Sequence, residues 1–425
     1  MIRVVSTYPF ERELPPAAAG AVAIVRVLAA TGHQALLAGG CVRDLLLGRT
    51  PEDYDVATDA PPERVGELFK ATRKVGAQFG VVLVRQRGRW IEVATFRTDG
   101  PYLDGRRPAQ VTLSDARHDA ERRDFTVNGM FLDPLAGQVI DYVGGRPDLE
   151  ARVIRAIGEP AARFDEDYLR LLRAVRFAAK LDFALEPLTL AAIRTHAPQL
   201  ANVAAERVRE ELERMFADAS RLRAWRLLAD CGLLAHLWPR ASWEPRQVTA
   251  LELMLGRLPP AAPFELALAV LLAEHPPAEI QRIARDLTLS NEQREVAAWL
   301  VAHQRDLDEP GRPSLAELKR LMAHAGFDAL RMLAPARFAS MPDGARRLEA
   351  LEARLRSIPP EAVQPPPLVT GEDLLARGVA PGPVYREVLE VLYVRQLNEE
   401  LTGREAALAA LEGDLRARGC DTRNG

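Results

Sequence analysis

Strand-like runs crowd the first 150 residues of this 425-residue chain and then stop. Up to that point, apolar stretches of strand length alternate with helical patterns. Ala35–Ala38 reads as a buried strand running into Gly39-Gly40, followed by a helix over 42–47. A second strand is expected over 53–57, then a proline-opened helix over 61–69. The β-rich runs 81–87 and 90–97, joined at Gly88, read as a hairpin. This alternation predicts helices layered on a small mixed sheet. Beyond residue 150 apolar residues recur at helical spacing: 167–181 reads as one helix, and Val208, Leu212, Met215 and Phe216 form a stripe on another. The expected fold class is α+β, a mixed-sheet head over 1–150 followed by an all-helical remainder. That remainder is read as a neck over 151–220 and a body over 221–357, in which proline clusters separate the later helices, then a proline-rich linker with a helical tail over 358–425.

The chemistry concentrates in the head. In LAGGCVRDLLLGRTPEDYDVAT a strand runs into Gly39-Gly40 and a helix follows at once. Glycines let backbone amides approach a phosphate closely, and a helix N-terminus adds favourable partial charge. Arg43 and Asp44 follow one turn later. Asp53 and Asp55 lie two apart, so on a strand their carboxylates point to one face and repel unless a cation lies between them. Mg²⁺, which takes oxygen ligands and bridges substrate phosphates, is the economical answer. Two-metal phosphoryl transfer wants a third carboxylate. Glu92, in mid-strand within WIEVATF, is the candidate; the alternative is an acid on the sheet's wet face.

Two further blocks supply polar groups. In ERRDFTVN, adjacent arginines including Arg123 could clamp a triphosphate, while Asp124 and Asn128 are spaced to share a helical face. In EDYLR, Asp167 and Arg170 are i, i+3 neighbours on the expected helix, with Glu166 opening the motif and Arg173 and Arg176 following. Cytosine and adenine each present an exocyclic amine beside a ring-nitrogen acceptor. Asp167 would accept from the amine and Arg170 would donate to the nitrogen. Uracil and guanine place a carbonyl against the carboxylate and are rejected. The plain alternative for this pair is an intrahelical salt bridge.

Taken in order and spacing, GGCVRDLLLGRTPEDYDVAT, IEVATFR, ERRDFTVN, DYVGGRPDL, FDEDYLRLLRAVRFAAKL and AERVREEL resemble the bacterial CCA-adding enzyme and poly(A) polymerase family, the class II tRNA nucleotidyltransferases with a polymerase-β-like head. The match is dense over 35–216 and echoes faintly near the C-terminus. The resemblance implies that Asp53 and Asp55 hold the metals, with Gly39, Gly40, Arg43 and Asp44 in the triphosphate pocket. It implies that Arg123, Asp124 and Asn128 handle the sugar and phosphates, and that Asp167 and Arg170 read the base. Glu206 and Arg207 match a helical element near the hinge between head and body. Gly129 stands where alanine is common and Tyr168 where proline is frequent. The segment 98–119, with Arg106-Arg107-Pro108, resembles a mobile loop of full CCA adders. The implied activity is addition of CCA to the 3′ end of tRNA from CTP and ATP, with pyrophosphate released and Mg²⁺ as cofactor. The alternatives are a poly(A) polymerase, or a CC- or A-adding specialist.

Other readings fit less well. The dipeptide His118-Asp119 spells a phosphohydrolase motif, but His236, His275, His303 and His324 do not complete it, so a loop dipeptide is expected. Cys41, Cys231 and Cys420 form no CxxC pair, which suits a reducing cytoplasm over a zinc site or a disulfide framework. The apolar run 21–30 is far short of the roughly 20 residues a membrane span needs, and no secretion signal is read at the N-terminus. The net charge of −3 means that any polyanionic partner must meet a local basic surface. That basic surface would be almost entirely arginine, because Lys70, Lys74, Lys180 and Lys319 are the only lysines.

Overall fold

The computed structural model describes residues 5–73, 80–100, 111–309, 311–339 and 341–418. It divides into two compact units, one of residues 1–215 with 220–240 and the other of 216–219 with 241–425. No described helix is long and apolar enough to cross a membrane.

The first unit is built on an eight-stranded mixed sheet. Its chain order is β1 (Ser6–Pro9), α1 (Ala19–Ala30), β2 (Ala35–Ala38), α2 (Gly40–Leu46), β3 (Asp55–Thr58), α3 (Pro62–Leu68), β4 (Thr72–Arg73), β5 (Val81–Gln86) and β6 (Arg89–Thr95). After a separate pair, β7 (Arg97–Asp99) and β8 (Val111–Leu113), come α4 (Ala116–Glu121), β9 (Met130–Asp133), β10 (Gln138–Asp141) and α5 (Gly145–Glu150). The strands lie in the order β1-β10-β9-β2-β3-β6-β5-β4. Among the described residues, only β3 and β6 pair in parallel within this sheet.

That topology decides which side chains meet. Neighbours in register share a face. The pairs Val82–Val93 and Val84–Ile91 turn to one face, where α1 buries Ile24, Val25 and Leu28. Gly20 of α1 is held so close that a Cβ there would meet Ile91 Cδ1 at 2.8 Å. The opposite face carries Leu36, Ala38, Ala57 and Phe131, packed with Phe96 and with Ala116 and Ala120 of α4. Phe96 and Phe131 meet edge to face at 5.9 Å.

The expected strands and helices of the head are present, with shifted ends. The remainder is mostly helical, with one correction. Residues beyond 150 include β11 (Val153–Ile154) and β12 (Ala184–Leu185), a two-residue parallel pair, too short to carry a period-2 signal. Between and after them lie α6 (Pro160–Glu166), α7 (Arg170–Leu181), α8 (Pro187–His196), α9 (Ala205–Phe216) and α10 (Arg221–Asp230). The expected stripe on α9 is buried at Val208, Leu212, Met215 and Phe216.

The second unit is helical throughout its described residues. Every residue of Phe264–Leu271 except Glu265 is buried, so this helix forms its centre. Leu374, Val388, Leu392, Leu411 and Leu415 form a further core near the C-terminus. The proline-rich stretch before that core is tied to it: Tyr393 Oη donates to the Pro365 carbonyl at 3.1 Å and Gln396 Nε2 to that of Pro366 at 2.9 Å.

Candidate active site

A cleft of about 390 Å³ opens in the first unit where β2 gives way to α2. Gly39 makes that turn with φ +74°, a left-handed conformation that glycine adopts without strain. A Cβ there would also lie 2.7 Å from Arg123 Nη1, so the missing side chain is what admits the guanidinium. Lining the cleft are Gly39, Gly40, Arg43, Asp55, Arg123, Asp124, Asn128, Asp167 and Arg170, joined by Arg122, Arg173 and Phe177. Nine of the twelve proposed site residues are thus brought to one cavity.

Its floor is a hydrogen-bonded lattice. Arg43, buried on α2, donates from Nη1 to Asn128 Oδ1 at 2.6 Å and from Nε to Asp44 Oδ1 at 2.9 Å. Asp44 therefore acts behind the cleft, holding Arg43, and does not line it. Asn128 Nδ2 donates to Asp124 Oδ1 at 3.1 Å. These two were expected on one helical face. Instead Phe125 between them bridges to Ala156, and Asn128 ends a single 3₁₀ turn, Thr126–Asn128. The contact survives because the turn brings position i+4 back by another route. Burial alone would push the Asp124 carboxyl up. Arg173, bonded to it at 2.6 and 2.9 Å, wins together with Asn128 and the Phe125 amide, and holds it at about 2. Phe177 lies under the guanidinium groups of Arg43 and Arg173, each 5.3 Å from the ring centroid.

Sequence reasoning missed Asp119. It was expected in a loop, but α4 carries it inward, with its side chain 2% exposed. It accepts from Arg122 Nη2 at 2.6 Å and from Arg123 Nη2 at 3.0 Å. Burial raises this carboxyl, yet Arg123 and Arg122 overcome it and hold it below the usual range. The signal was an acid three and four residues before two arginines on a helix. His118 is exposed and paired with Asp115, which caps the helix.

One end of the cleft holds carboxylates. Asp55 opens β3, but Asp53 precedes the strand, so the pair does not share a strand face as expected. The turn after Gly48 runs to residue 54 before pairing begins, which delays the strand past Asp53. The parallel register Val56–Val93, extended by one residue, sets Asp55 beside Glu92. Asp55 reaches solvent, but the cleft walls crowd it. That desolvation comes first, then the charge of Glu92; against Arg123, they and Asp53 push the carboxyl up to about 6. Asp53 and Glu92 do not line the main cleft; Asp53 lines a neighbouring hollow with Arg89 and Trp90. Among the described residues no three His, Cys, Asp or Glu side chains close into a metal cage. The arrangement fits a divalent ion in an open site, where phosphates and water complete the oxygens and the charge of the ion relieves the like-charge crowding.

The other end holds Asp167 and Arg170, and here the helix expected over 167–181 begins three residues late. α6 ends at Glu166, Asp167 is extended at φ −155°, and α7 begins at Arg170. Asp167 and Arg170 therefore do not pair with each other. Arg207 of α9 grips Asp167 with bonds of 2.7 and 3.1 Å. Arg170 Nη1 donates to Glu166 Oε2 at 2.5 Å and to the Arg163 carbonyl at 2.7 Å. Each group is oriented by its own partner, and both face the cleft. Gly129 packs against Val143, where a Cβ would meet Cγ2 at 2.6 Å. Tyr168 Oη lies 3.5 Å from Asp165 Oδ1. Residues 101–110, including Arg106, Arg107 and Pro108, lie outside the described residues, as do Lys74 and Cys420.

Comparison with known proteins converges on one family. The profile of the Poly A polymerase head domain matches residues 35–155, and that of the probable RNA and SrmB-binding site of polymerase A matches 182–243. The CCA-adding enzyme of Geobacillus stearothermophilus is 46% identical over 218 residues, 51% of this chain and 54% of that protein. The chain thus spans about half the length of such curated relatives. A relative of the same name from Lactobacillus helveticus is 35% identical over 66% of this chain and 69% of its own. The crystal structure of the Bacillus stearothermophilus CCA-adding enzyme in complex with CTP superposes with a TM-score of 0.82 at 32% identity, covering 96% of this chain and 99% of that one. That of the Thermotoga maritima enzyme complexed with tRNA shares the fold, with a TM-score of 0.68 at 22% identity over 96% and 99%. Cleft, sheet and sequence together place this chain in the family of bacterial CCA-adding enzymes.

Proposed function

We propose that this chain adds C and A to the 3′ end of tRNA, using CTP and ATP without a nucleic-acid template and releasing pyrophosphate. One observation carries the reading. A single cleft sets paired arginines and a Gly-Gly turn between a crowded carboxylate, Asp55, and two separately anchored base-sized partners, Asp167 and Arg170. A relative crystallised with CTP supports the same reading.

The residues divide the work as follows. Arg43, Arg123 and the Gly39-Gly40 turn receive the triphosphate. Asp124 and Asn128 hold the nucleotide's sugar and phosphates in register. Asp167 accepts from the exocyclic amine of cytosine or adenine, and Arg170 donates to the adjoining ring nitrogen. Asp53, Asp55 and Glu92 would hold Mg²⁺, which when bound lowers the pKa of the attacking hydroxyl and neutralises charge on the phosphates. The RNA 3′-hydroxyl attacks the α-phosphate in line. The new O–P bond forms as the bond to pyrophosphate breaks, and the arginines stabilise the leaving group. We further propose a division into head, neck, body and tail over 1–150, 151–220, 221–357 and 358–425, with the helical regions gripping tRNA by shape and phosphate contacts and the chain working in the cytoplasm.

The test supplies purified protein and Mg²⁺ with tRNA lacking CCA, CC-ended tRNA and an unrelated RNA. Products are resolved at single-nucleotide length with CTP and ATP given singly and together. Three additions to the first tRNA followed by a stop are expected. Untemplated runs of A on every RNA would mark a poly(A) polymerase instead, and two Cs or one A alone a specialist.

A further inference from the structure

The sheet face that carries Asp55 and Glu92 does not end at the cleft. Cross-strand pairs Leu83–Glu92 and Arg85–Trp90 turn to this face, and Arg73 of β4, paired with Leu83, joins them. Over β2 and β9 the same face is roofed by α4. Over β6, β5 and β4 it is open among the described residues: Arg73, Arg85 and Glu92 are exposed, and Trp90 is 38% exposed. The Arg73 guanidinium lies 4.3 Å from the Trp90 ring centroid, which steadies the indole. Every arginine lining the nucleotide cleft has a carboxylate partner: Asp44 for Arg43, Asp119 for Arg122 and Arg123, Glu166 for Arg170 and Asp124 for Arg173. Arg73 and Arg85 have none among the described residues. Exposed unpaired guanidinium groups around a surface indole suit a single-stranded nucleic acid, with phosphates on the arginines and a base on the ring.

Reaction geometry gives this face its occupant. Resting on the reading of function above, the triphosphate lies over Gly39-Gly40 and Arg43, on the β2 side of Asp55. In-line displacement brings the attacking hydroxyl from the side opposite the departing pyrophosphate. From Asp55 that side is β6, then β5 and β4. We propose that the open β6-β5-β4 face, with Trp90 as stacking platform and Arg73 and Arg85 as phosphate contacts, receives the single-stranded 3′ end of the RNA and presents its hydroxyl to Asp55 and Glu92.

Steady-state addition of CTP to tRNA lacking CCA tests this directly. The triple substitution Arg73→Ala, Arg85→Ala and Trp90→Ala is expected to raise KM for RNA about 10- to 100-fold, the range of one lost stack and two lost phosphate contacts. KM for CTP, and kcat at saturating RNA, stay within about twofold, because the cleft is untouched. The slope of log affinity against log salt falls by about 1.4, at ~0.7 per contact for a single strand. Trp90→Phe keeps a stacking ring and is expected to restore most of the affinity that Trp90→Leu loses. An unchanged RNA KM and salt slope beside an active wild type would overturn the docking face alone, and equal behaviour of the Phe and Leu variants would overturn the stack. A wild type inactive on every RNA overturns the reading of function instead.

Discussion

The two ends of the nucleotide cleft are built on opposite electrostatic plans. At one end Asp55 faces Glu92 and Asp53 with only Arg123 to offset them, and its carboxyl is driven up to about 6. At the other, Asp167 is gripped by Arg207 and Arg170 by Glu166. On the proposed reading, the crowding at the first end is relieved only when a cation binds, whereas the charges of the second are already paired within the protein. A base reader must present a fixed donor-acceptor pattern before the base enters, so its charges are anchored by the protein. A metal site that hands an ion to and from phosphates gains by keeping open positions.

Substitutions separate the two plans. Asp55→Asn removes the central carboxylate and is expected to cut nucleotide addition by ~10³-fold or more, beyond the 10²–10³ that a single preorganised donor contributes; single-turnover kinetics at saturating CTP would show it. Arg207→Ala leaves the chemistry in place but frees Asp167. Loss of such a supporting partner costs about 10- to 100-fold, read here as CTP-over-UTP discrimination. Glu166→Gln weakens the hold on Arg170 but leaves the Arg163 carbonyl, so a loss near the lower end of that range is expected in the same assay.

The smallest effect has the opposite sign. Asp55 binds its proton more tightly folded than unfolded, where a carboxyl titrates near 3.9. Metal-free protein is therefore relatively stabilised below about pH 4, and this contribution is lost as pH rises through about 6. At pH 7, Asp55→Asn should raise the stability of the metal-free protein. Because Asp55 is solvent-accessible, the gain is discounted to about 1 kcal/mol, a melting shift of ~2–4 °C. Asp124 runs the other way: its lowered carboxyl stabilises the fold above about pH 4, and that contribution is lost as pH falls through about 2.

The sequence disclosed the parts more readily than their wiring. Strand, Gly-Gly turn and helix over 35–46 are local events, set by apolar runs and by glycine's freedom at positive φ, and they were legible. The stripe on α9 was legible for the same reason. The break between Glu166 and Arg170 was not, because no glycine or proline marks it. Asp167 there is held by a tertiary contact, an arginine 40 residues away, which local sequence does not announce. Asp119 was hidden behind a misleading dipeptide, and its role appears only once α4 turns it toward two arginines. The open β6-β5-β4 face was invisible too, since β4 has only two residues and the face depends on cross-strand register.

The central claim is that the protein, not a template, reads the incoming base through Asp167. Single-nucleotide addition to tRNA lacking CCA, with CTP and UTP in competition, tests it most directly in wild type and Asp167→Asn. An asparagine amide can donate where the carboxylate only accepts, so it can satisfy the uracil carbonyl. The account predicts that wild type incorporates C almost alone and that the variant's preference for C over U falls, with Arg170 still opposing the protonated ring nitrogen of U, while both still add nucleotides. Unchanged preference for C in an active Asp167→Asn protein would contradict it.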